Sequence, residues 1–169
     1  SYVEIRPVNS TIEVPDVVFY GVGNDYNITL RDEHGTLIRG EYINVVITQG
    51  NLSDTFTLQT GDDGVARLTI NYLPGTYQIT ASYAGDDVYG SAKGSGTITV
   101  NKVLTVISGF HYSKIPLNGV YTVVLTDMFG HRVTNATIKL NLYKGILLKT
   151  YTGVTDGNGE VTFRIAQGE

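Results

Sequence analysis

The sequence has no cysteine and no tryptophan, and only one methionine and four prolines among its 169 residues. Without cysteine, a disulfide scaffold, a thiolate metal site and a cysteine nucleophile are all excluded. No apolar run approaches the roughly 20 residues that a membrane-spanning helix needs. Charged residues make up 17% of the chain and the net charge is −4. Since no basic face is available to neutralise phosphates, we expect no nucleic-acid partner.

What the chain does contain is alternation of apolar and polar residues with a period of two, which is typical of half-buried strands. Each of three runs places its apolar side chains on one face: Ile43, Val45 and Ile47; Ala66, Leu68 and Ile70; Tyr77, Ile79, Ala81 and Tyr83. Turn-forming sequences such as QGN, GDDG and PG separate the runs. No window shows the period of a helix, so we predict an all-β fold of sandwich type.

The chain also repeats itself. An offset of 95 residues, which places Tyr26 on Tyr121, matches turn glycines and strand faces in one register without a gap. The inward face at Ile43, Val45 and Ile47 is matched by Ile138, Leu140 and Leu142. Such self-similarity indicates two copies of one module. We predict that the first domain covers residues 1–101 and the second residues 102–169.

The first copy contains the segments LRDEHGTLIRG, TGDDGVARLTI and LPGTYQITASYAGDDVYGSAKGSGTITV. They resemble bacterial immunoglobulin-like (Big) repeats, which occur along surface adhesins and invasin-like proteins of bacteria and methanogenic archaea. The residues that fit this pattern are Asp32, Gly35, Ile38, Gly40, Gly64, Ala66, Leu68, Pro74, Gly75, Tyr77, Gly85, Asp86, Tyr89 and Ser91. The resemblance implies tandem immunoglobulin-like β-sandwiches and an extracellular, cell-surface location. It implies little about the ligand, because such repeats serve both as spacers and as binders.

A structural role is predicted for Leu73, Gly75 and Tyr77, which resemble a tyrosine corner. The Tyr77 hydroxyl should reach back to a backbone group a few residues upstream and fix the crossover between sheets. Strand F would then cover residues 76–84 and strand G residues 96–101, with GDDVYG turning the chain between them and Lys93 in a loop.

The second copy is expected to be incomplete. Glu169 corresponds to Pro74 under the offset, so the tyrosine corner and strands F and G have no counterpart. Strands C, F and G share one sheet in such a fold. We therefore expect an open strand-complementation face formed by Ile138, Leu140, Leu142, Phe163 and Ile165. A strand from a swapped copy, a donor strand from a partner or further residues of a longer parent would cover it.

No constellation of residues points to catalysis. His34, His111 and His131 lie in or near predicted turns, and no Ser/His/Asp arrangement is indicated. Asp86 and Asp87 suggest either turn capping, which we favour, or a calcium site. The stretch GSAKGSG has no following helix of the kind that a phosphate loop requires. We therefore assign no catalytic residue, no metal ligand and no cofactor.

Four Asn-X-Ser/Thr sequons are candidates for N-glycosylation: Asn9, Asn27, Asn51 and Asn135. They suit a surface protein.

Two functions remain open at this stage. One is a non-catalytic stalk, spacer or adhesion module that adjoins further Ig-like repeats and binds an unknown protein or glycan. The other is an accessory module of a secreted wall-acting enzyme. An exposed aromatic platform would favour this second function, with carbohydrate as the ligand.

Overall fold

The computed structural model describes residues 6–109 and 118–166. Within these ranges the chain forms thirteen strands and no helix, so the prediction of an all-β protein is confirmed. No helix long and apolar enough to cross a membrane occurs in this part of the chain. The backbone divides into two compact units, Ser1–Lys102 and Val103–Glu169. The division falls one residue beyond the boundary expected from the sequence.

Over its described residues, the first unit has eight strands in two sheets. The strands are β1 (Ser10–Glu13), β2 (Val17–Tyr20), β3 (Asn24–Asp32), β4 (Tyr42–Gln49), β5 (Leu52–Gln59), β6 (Val65–Ile70), β7 (Gly75–Tyr83) and β8 (Ala92–Asn101). One sheet has the order β1-β3-β6 and the other the order β2-β8-β7-β4-β5. This is the strand order of an immunoglobulin-like sandwich, with β4, β7 and β8 in the places of strands C, F and G.

The inward residues of the two sheets meet in one core. In β3, β4 and β7 alternate side chains are buried, as period-two alternation requires. Fully buried residues come from both layers and include Tyr26, Ile28, Leu30, Ile43, Val45, Ile47, Ile70, Ile79 and Ile98. Branched aliphatic side chains pack well between pleated surfaces. The core therefore follows from the alternation that the sequence displays.

Strand β8 begins at Ala92, four residues before the predicted start of strand G. The expectation that Lys93 lies in a loop was wrong. The reason is the close passage of the N-terminal segment over this strand. A Cβ atom added at Gly94 would lie 2.7 Å from the carbonyl oxygen of Ile12, and one at Gly96 would lie 2.5 Å from that of Val14. Glycine is needed here for close approach of two backbones, not for a turn.

The second unit contains five strands among its described residues: β9 (Thr105–Ser108), β10 (Val120–Asp127), β11 (Thr137–Lys144), β12 (Ile146–Val154) and β13 (Glu160–Arg164). They form a sheet of order β13-β10-β9 and a β11-β12 pair. Under the 95-residue offset, β9 falls on β1 and β11 on β4 with the same bounds. The second unit therefore repeats the arrangement of β1, β3, β4, β5 and β6.

A buried threonine occupies the same position in both units. Thr60 Oγ1 accepts a hydrogen bond from the backbone N–H of Glu41 at 3.0 Å. Thr155 Oγ1 accepts one from Ala136 N at 2.9 Å and donates to the carbonyl oxygen of Val133 at 2.8 Å. Both side chains are almost fully buried. The two units therefore share a hydrogen bond to a buried threonine as well as the pattern of strands.

Candidate functional site

The unpaired side of β11 is the feature that most distinguishes the second unit from the first. In the first unit β4 pairs with β5 on one side and with β7 on the other. Among the described residues of the second unit, β11 pairs only with β12. Its other side presents backbone N–H and C=O groups without a strand partner in that part of the chain. Such an edge is a template for pairing with another strand.

A groove of about 200 Å³ opens beside this edge, between the two sheets of the second unit. We call it the β11 groove. Its lining is mostly apolar and consists of Ile107, Val123, Ile138, Lys139, Leu140 and Phe163. In the first unit, side chains of β7 fill the corresponding space, since Ile79 and Ala81 are fully buried opposite Ile47 and Val45.

The residues expected to form an open face differ in exposure. Ile138, Leu140 and Leu142 are half-buried and pack on the core of their own unit, whereas their counterparts Ile43, Val45 and Ile47 are fully buried. The expectation for the other two residues was wrong. Phe163 and Ile165 are each 4% exposed, because both belong to the core of the second unit, where Gly153 of β12 lies against the Phe163 ring. The open surface is therefore the margin of β11, not the whole inner face.

The predicted tyrosine corner has a defined geometry. The hydroxyl of Tyr77 donates a hydrogen bond to the carbonyl oxygen of Leu73 at 2.7 Å. The Tyr77 ring is 3% exposed, although Leu73 itself is largely exposed. The ring also lies against Tyr72, with centroids 4.8 Å apart. A Cβ atom at Gly75 would lie 2.4 Å from the Gln49 side chain, so the corner is tightly packed against β4.

The carboxylates at the predicted turns act as caps. Asp86 Oδ1 accepts hydrogen bonds from the backbone N–H groups of Val88 and Tyr89 at 2.7 and 2.6 Å. The N–H groups of Tyr89 and Val88 hold the pKa of Asp86 below its usual value. This geometry is that of a capped turn. Within the described residues, no group of three or more carboxylate or histidine side chains is placed to hold a metal ion.

The histidines lie apart from one another. His34 and His131 occupy equivalent exposed turns of the two units, and His111 lies outside the described residues. His131 Nδ1 is 3.0 Å from Asp127 Oδ2. Desolvation raises the pKa of Asp127, but the backbone N–H and ring of His131, together with the N–H of Phe129, outweigh it, so this pKa lies below its usual value. The arrangement closes a turn and places no nucleophile beside a base.

All four sequon asparagines are exposed. The side-chain N–H of Asn9 donates a hydrogen bond to Glu33 Oε2 at 2.8 Å. Asn27 lies on the outer face of β3. Asn51 lies in the turn after β4. Asn135 adopts a positive φ of 55°, a conformation that asparagine tolerates better than most residues. Their glycosylation stays a prediction.

Two contacts were not found from the sequence. The first is the parallel pairing of β2 with β8, from Val17 with Ile98 to Tyr20 with Asn101. The second is the bond from the Tyr26 hydroxyl to the carbonyl oxygen of Pro15, where the chain crosses from one sheet to the other. Period-two alternation marks a strand but does not identify its neighbour. The local signal of the crossover is Pro15, because proline within a sheet is confined to edges, strand starts and bulges.

No protein-family model matches the chain, and no curated protein matches it. Among solved structures, it is similar to a tetra-tandem repeat in the extending region of a large adhesion protein, with TM-score 0.39 and 14% identity over 94% of this chain and 41% of that chain. It is also similar to fibronectin(III)-like modules of Clostridium thermocellum CbhA, with TM-score 0.32 and 16% identity over 94% and 80%.

A third similar structure is a β-glucuronidase from Parabacteroides merdae, with TM-score 0.36 and 12% identity over 90% of this chain and 21% of that chain. The chain thus spans less than half of two of these three structures. Because all three TM-scores are under 0.5, no activity, ligand or partner of this chain follows from the similarities.

Proposed function

We propose that this chain is a non-catalytic structural segment of an extracellular surface protein, in which immunoglobulin-like units act as a stalk or spacer that transmits tension. Duplication supports the proposal, because serial copies of one sandwich extend a chain without adding a reactive site. The two copies share their turn caps as well as their strands: Asp32 and Asp127 each accept two backbone N–H bonds in equivalent turns.

The observation that carries the proposal is the parallel β2–β8 pair. It joins the N-terminal part of the first unit to its last strand. In a parallel pair, the first residue of one strand and the last residue of the other lie at opposite ends of the pair. Tension on residues before Val17 and after Asn101 therefore pulls the strands along each other. The hydrogen bonds of the pair then share the load, instead of opening one after another as in an unzipped antiparallel pair.

Stretching single molecules of the full chain, held at both ends, tests this role. The backbone N–H of Gly21 donates to the carbonyl oxygen of Asn101. Since N–H groups of alternate residues point the same way along a strand, the N–H of Val17 faces β8 and that of Val18 faces away. Val17→Pro should lower the force at which the first unit unfolds. Val18→Pro is the matched control and should leave that force unchanged, because proline is tolerated where the N–H of an edge strand faces solvent.

An equal effect of the two substitutions, or none from Val17→Pro, would show that the pair bears no load. An enzymatic turnover by the purified chain would contradict the non-catalytic role.

The alternative of a carbohydrate-binding accessory module is tested on a glycan array. Saturable binding to one glycan class would favour it over a spacer. Among the residues that the structure describes, the large exposed aromatic side chains lie on separate elements, namely Tyr20, Tyr42, Phe129 and Tyr143.

A further inference from the structure

The turn that joins β11 to β12 carries a cluster of exposed apolar side chains. We call residues 143–149 the hairpin tip. Its apolar residues are 51–72% exposed, namely Tyr143, Ile146, Leu147 and Leu148. Its two lysines, Lys144 and Lys149, are exposed as well. Exposed apolar patches that are bordered by polar residues mark surfaces that contact proteins or membranes.

The exposure of the hairpin tip does not result from the missing equivalents of β7 and β8. Its three aliphatic residues lie on β12, whose counterpart β5 is the outermost strand of the order β2-β8-β7-β4-β5. Over the described residues, β5 pairs with β4 alone. The corresponding residues 51–53 of the first unit are exposed although β7 and β8 are in place. Strands equivalent to β7 and β8 would therefore leave these apolar side chains in solvent.

The same turn is polar in the first unit. Ile146 and Leu148 stand at the positions of Asn51 and Ser53. The lysines are replacements too, because Lys139, Lys144 and Lys149 stand at the positions of Asn44, Gln49 and Asp54. The first unit keeps its polar turn although another unit follows it directly along the chain. Connection to a following unit therefore does not account for an apolar tip.

Charge in the second unit is divided between its two ends. Residues 137–154 contain three lysines and no acidic residue, although the whole chain has a net charge of −4. The acidic residues in the described part of this unit are Asp127, Asp156 and Glu160, and they lie beside the start of β11 and the end of β12. Since β11 has eight residues, roughly 23 Å separates that end from the tip. This is about three times the Debye length at physiological salt, so the acidic residues do not neutralise the tip.

We propose that the hairpin tip is a contact site for an anionic lipid bilayer. Ile146, Leu147 and Leu148 would enter the boundary between the headgroups and the acyl chains. The two lysines of the tip would lie among the lipid phosphates. Burial of apolar area together with attraction of lysines by anionic lipids is the combination that holds surface segments on membranes. This contact is separate from the tension-bearing role proposed above.

Flotation of the full chain with lipid vesicles tests the proposal. The probe is a vesicle of phosphatidylcholine and phosphatidylglycerol in equal parts, and a vesicle of phosphatidylcholine alone is the neutral comparison. We expect binding to the mixed vesicle that weakens as salt is added, because salt screens exposed charges. Binding to the neutral vesicle should be much weaker. In the bound chain, amide hydrogen exchange should slow in residues 143–149 and stay unchanged in β10 and β13.

The apolar contribution is tested by restoring the residues of the first unit. Ile146→Asn with Leu148→Ser should lower the partition coefficient on the mixed vesicle roughly 20-fold, because two largely exposed aliphatic side chains no longer leave water. Met128→Asn with Phe129→Ser is the matched control. It removes two exposed apolar side chains from the acidic end of the same unit and should leave the partition coefficient unchanged.

The charge contribution is tested in the same way. Lys144→Gln should weaken binding to the mixed vesicle about fivefold, the usual effect of one lysine near an anionic surface. Arg132→Gln removes one positive charge at the acidic end and should have no effect. All of these side chains are exposed, so β10 and β13 should exchange in the variants as in the unaltered chain.

Three results would overturn the proposal: no binding to the mixed vesicle, equal binding to the neutral one, or equal effects of the tip variants and their matched controls. It would also be overturned if the chain self-associates and the hairpin tip is already protected from exchange without vesicles, because the tip would then contact a second copy.

Discussion

Gly96→Ala should destabilise the first unit more than any other single methyl addition to its surface strands. Gly96 lies in β8, beneath the segment that crosses between the sheets. Its added Cβ would lie 2.5 Å from the carbonyl oxygen of Val14 and 2.9 Å from that of Pro15. Both contacts are to backbone atoms, which no side-chain rotation can relieve. The crossing segment would have to move away from β8.

The size of the effect follows from these distances. Favourable carbon–oxygen contacts begin at about 3.3 Å, so the Val14 carbonyl must retreat by roughly 0.8 Å. A shift of this size disturbs the β2–β8 pairing, which starts at Val17. Overpacking of well-packed sites costs about 1–3 kcal/mol, and a backbone clash belongs at the upper end of that range. For a unit of about 100 residues, the melting temperature should then fall by about 10–20 °C.

Urea denaturation of the full chain, followed by hydrogen exchange of β7 and β8 peptides, measures the free energy of unfolding of this unit. Gly90→Ala is the matched control, since its Cβ would lie 3.6 Å from the nearest atom, the Val8 carbonyl oxygen. That variant should be neutral or up to about 1 kcal/mol more stable, because alanine restricts the unfolded chain. If Gly96→Ala changes the free energy by less than 0.5 kcal/mol, the close passage of the crossing segment over β8 is wrong.

Three further outcomes are expected. Tyr77→Phe removes the hydroxyl that donates to Leu73 and should cost about 1 kcal/mol; a loss above 3 kcal/mol in urea denaturation would mean that the ring, not the hydrogen bond, is disturbed. Thr155→Val leaves two partly buried backbone partners unpaired and should cost about 1–3 kcal/mol, seen as faster amide exchange in the second unit with the first unit unchanged. The lowered pKa of Asp86 means that its cap stabilises the fold above the ordinary carboxyl pKa of 3.8 and loses this contribution as the pH falls through the folded-state pKa. The stability difference between the natural chain and Asp86→Asn should therefore be constant near neutral pH and shrink below about pH 4; a difference that persists unchanged in acid would contradict this.

Part of the candidate site could be inferred from the sequence. The repeat offset identifies Ile138, Leu140 and Leu142 as the counterparts of a buried face, and their half-buried state in the structure reflects the missing β7 equivalent among the described residues. The exposure of Phe163 could not be inferred in the same way. Its burial depends on which strand lies over it in the opposite sheet, and a residue's own alternation does not contain that information.

The sequence by itself determined the strands, their inward faces and the repeat, because these depend on local period and on residue type at turns. It did not determine which strands pair. The parallel contact of β2 with β8 brings together residues that are about 80 positions apart, and nothing local marks it. Likewise, Gly94 reads as a loop residue until the passage of Ile12 over it is known. Pairing and close approach are decided by the way the sheets pack, since only the folded chain brings those backbones within contact distance.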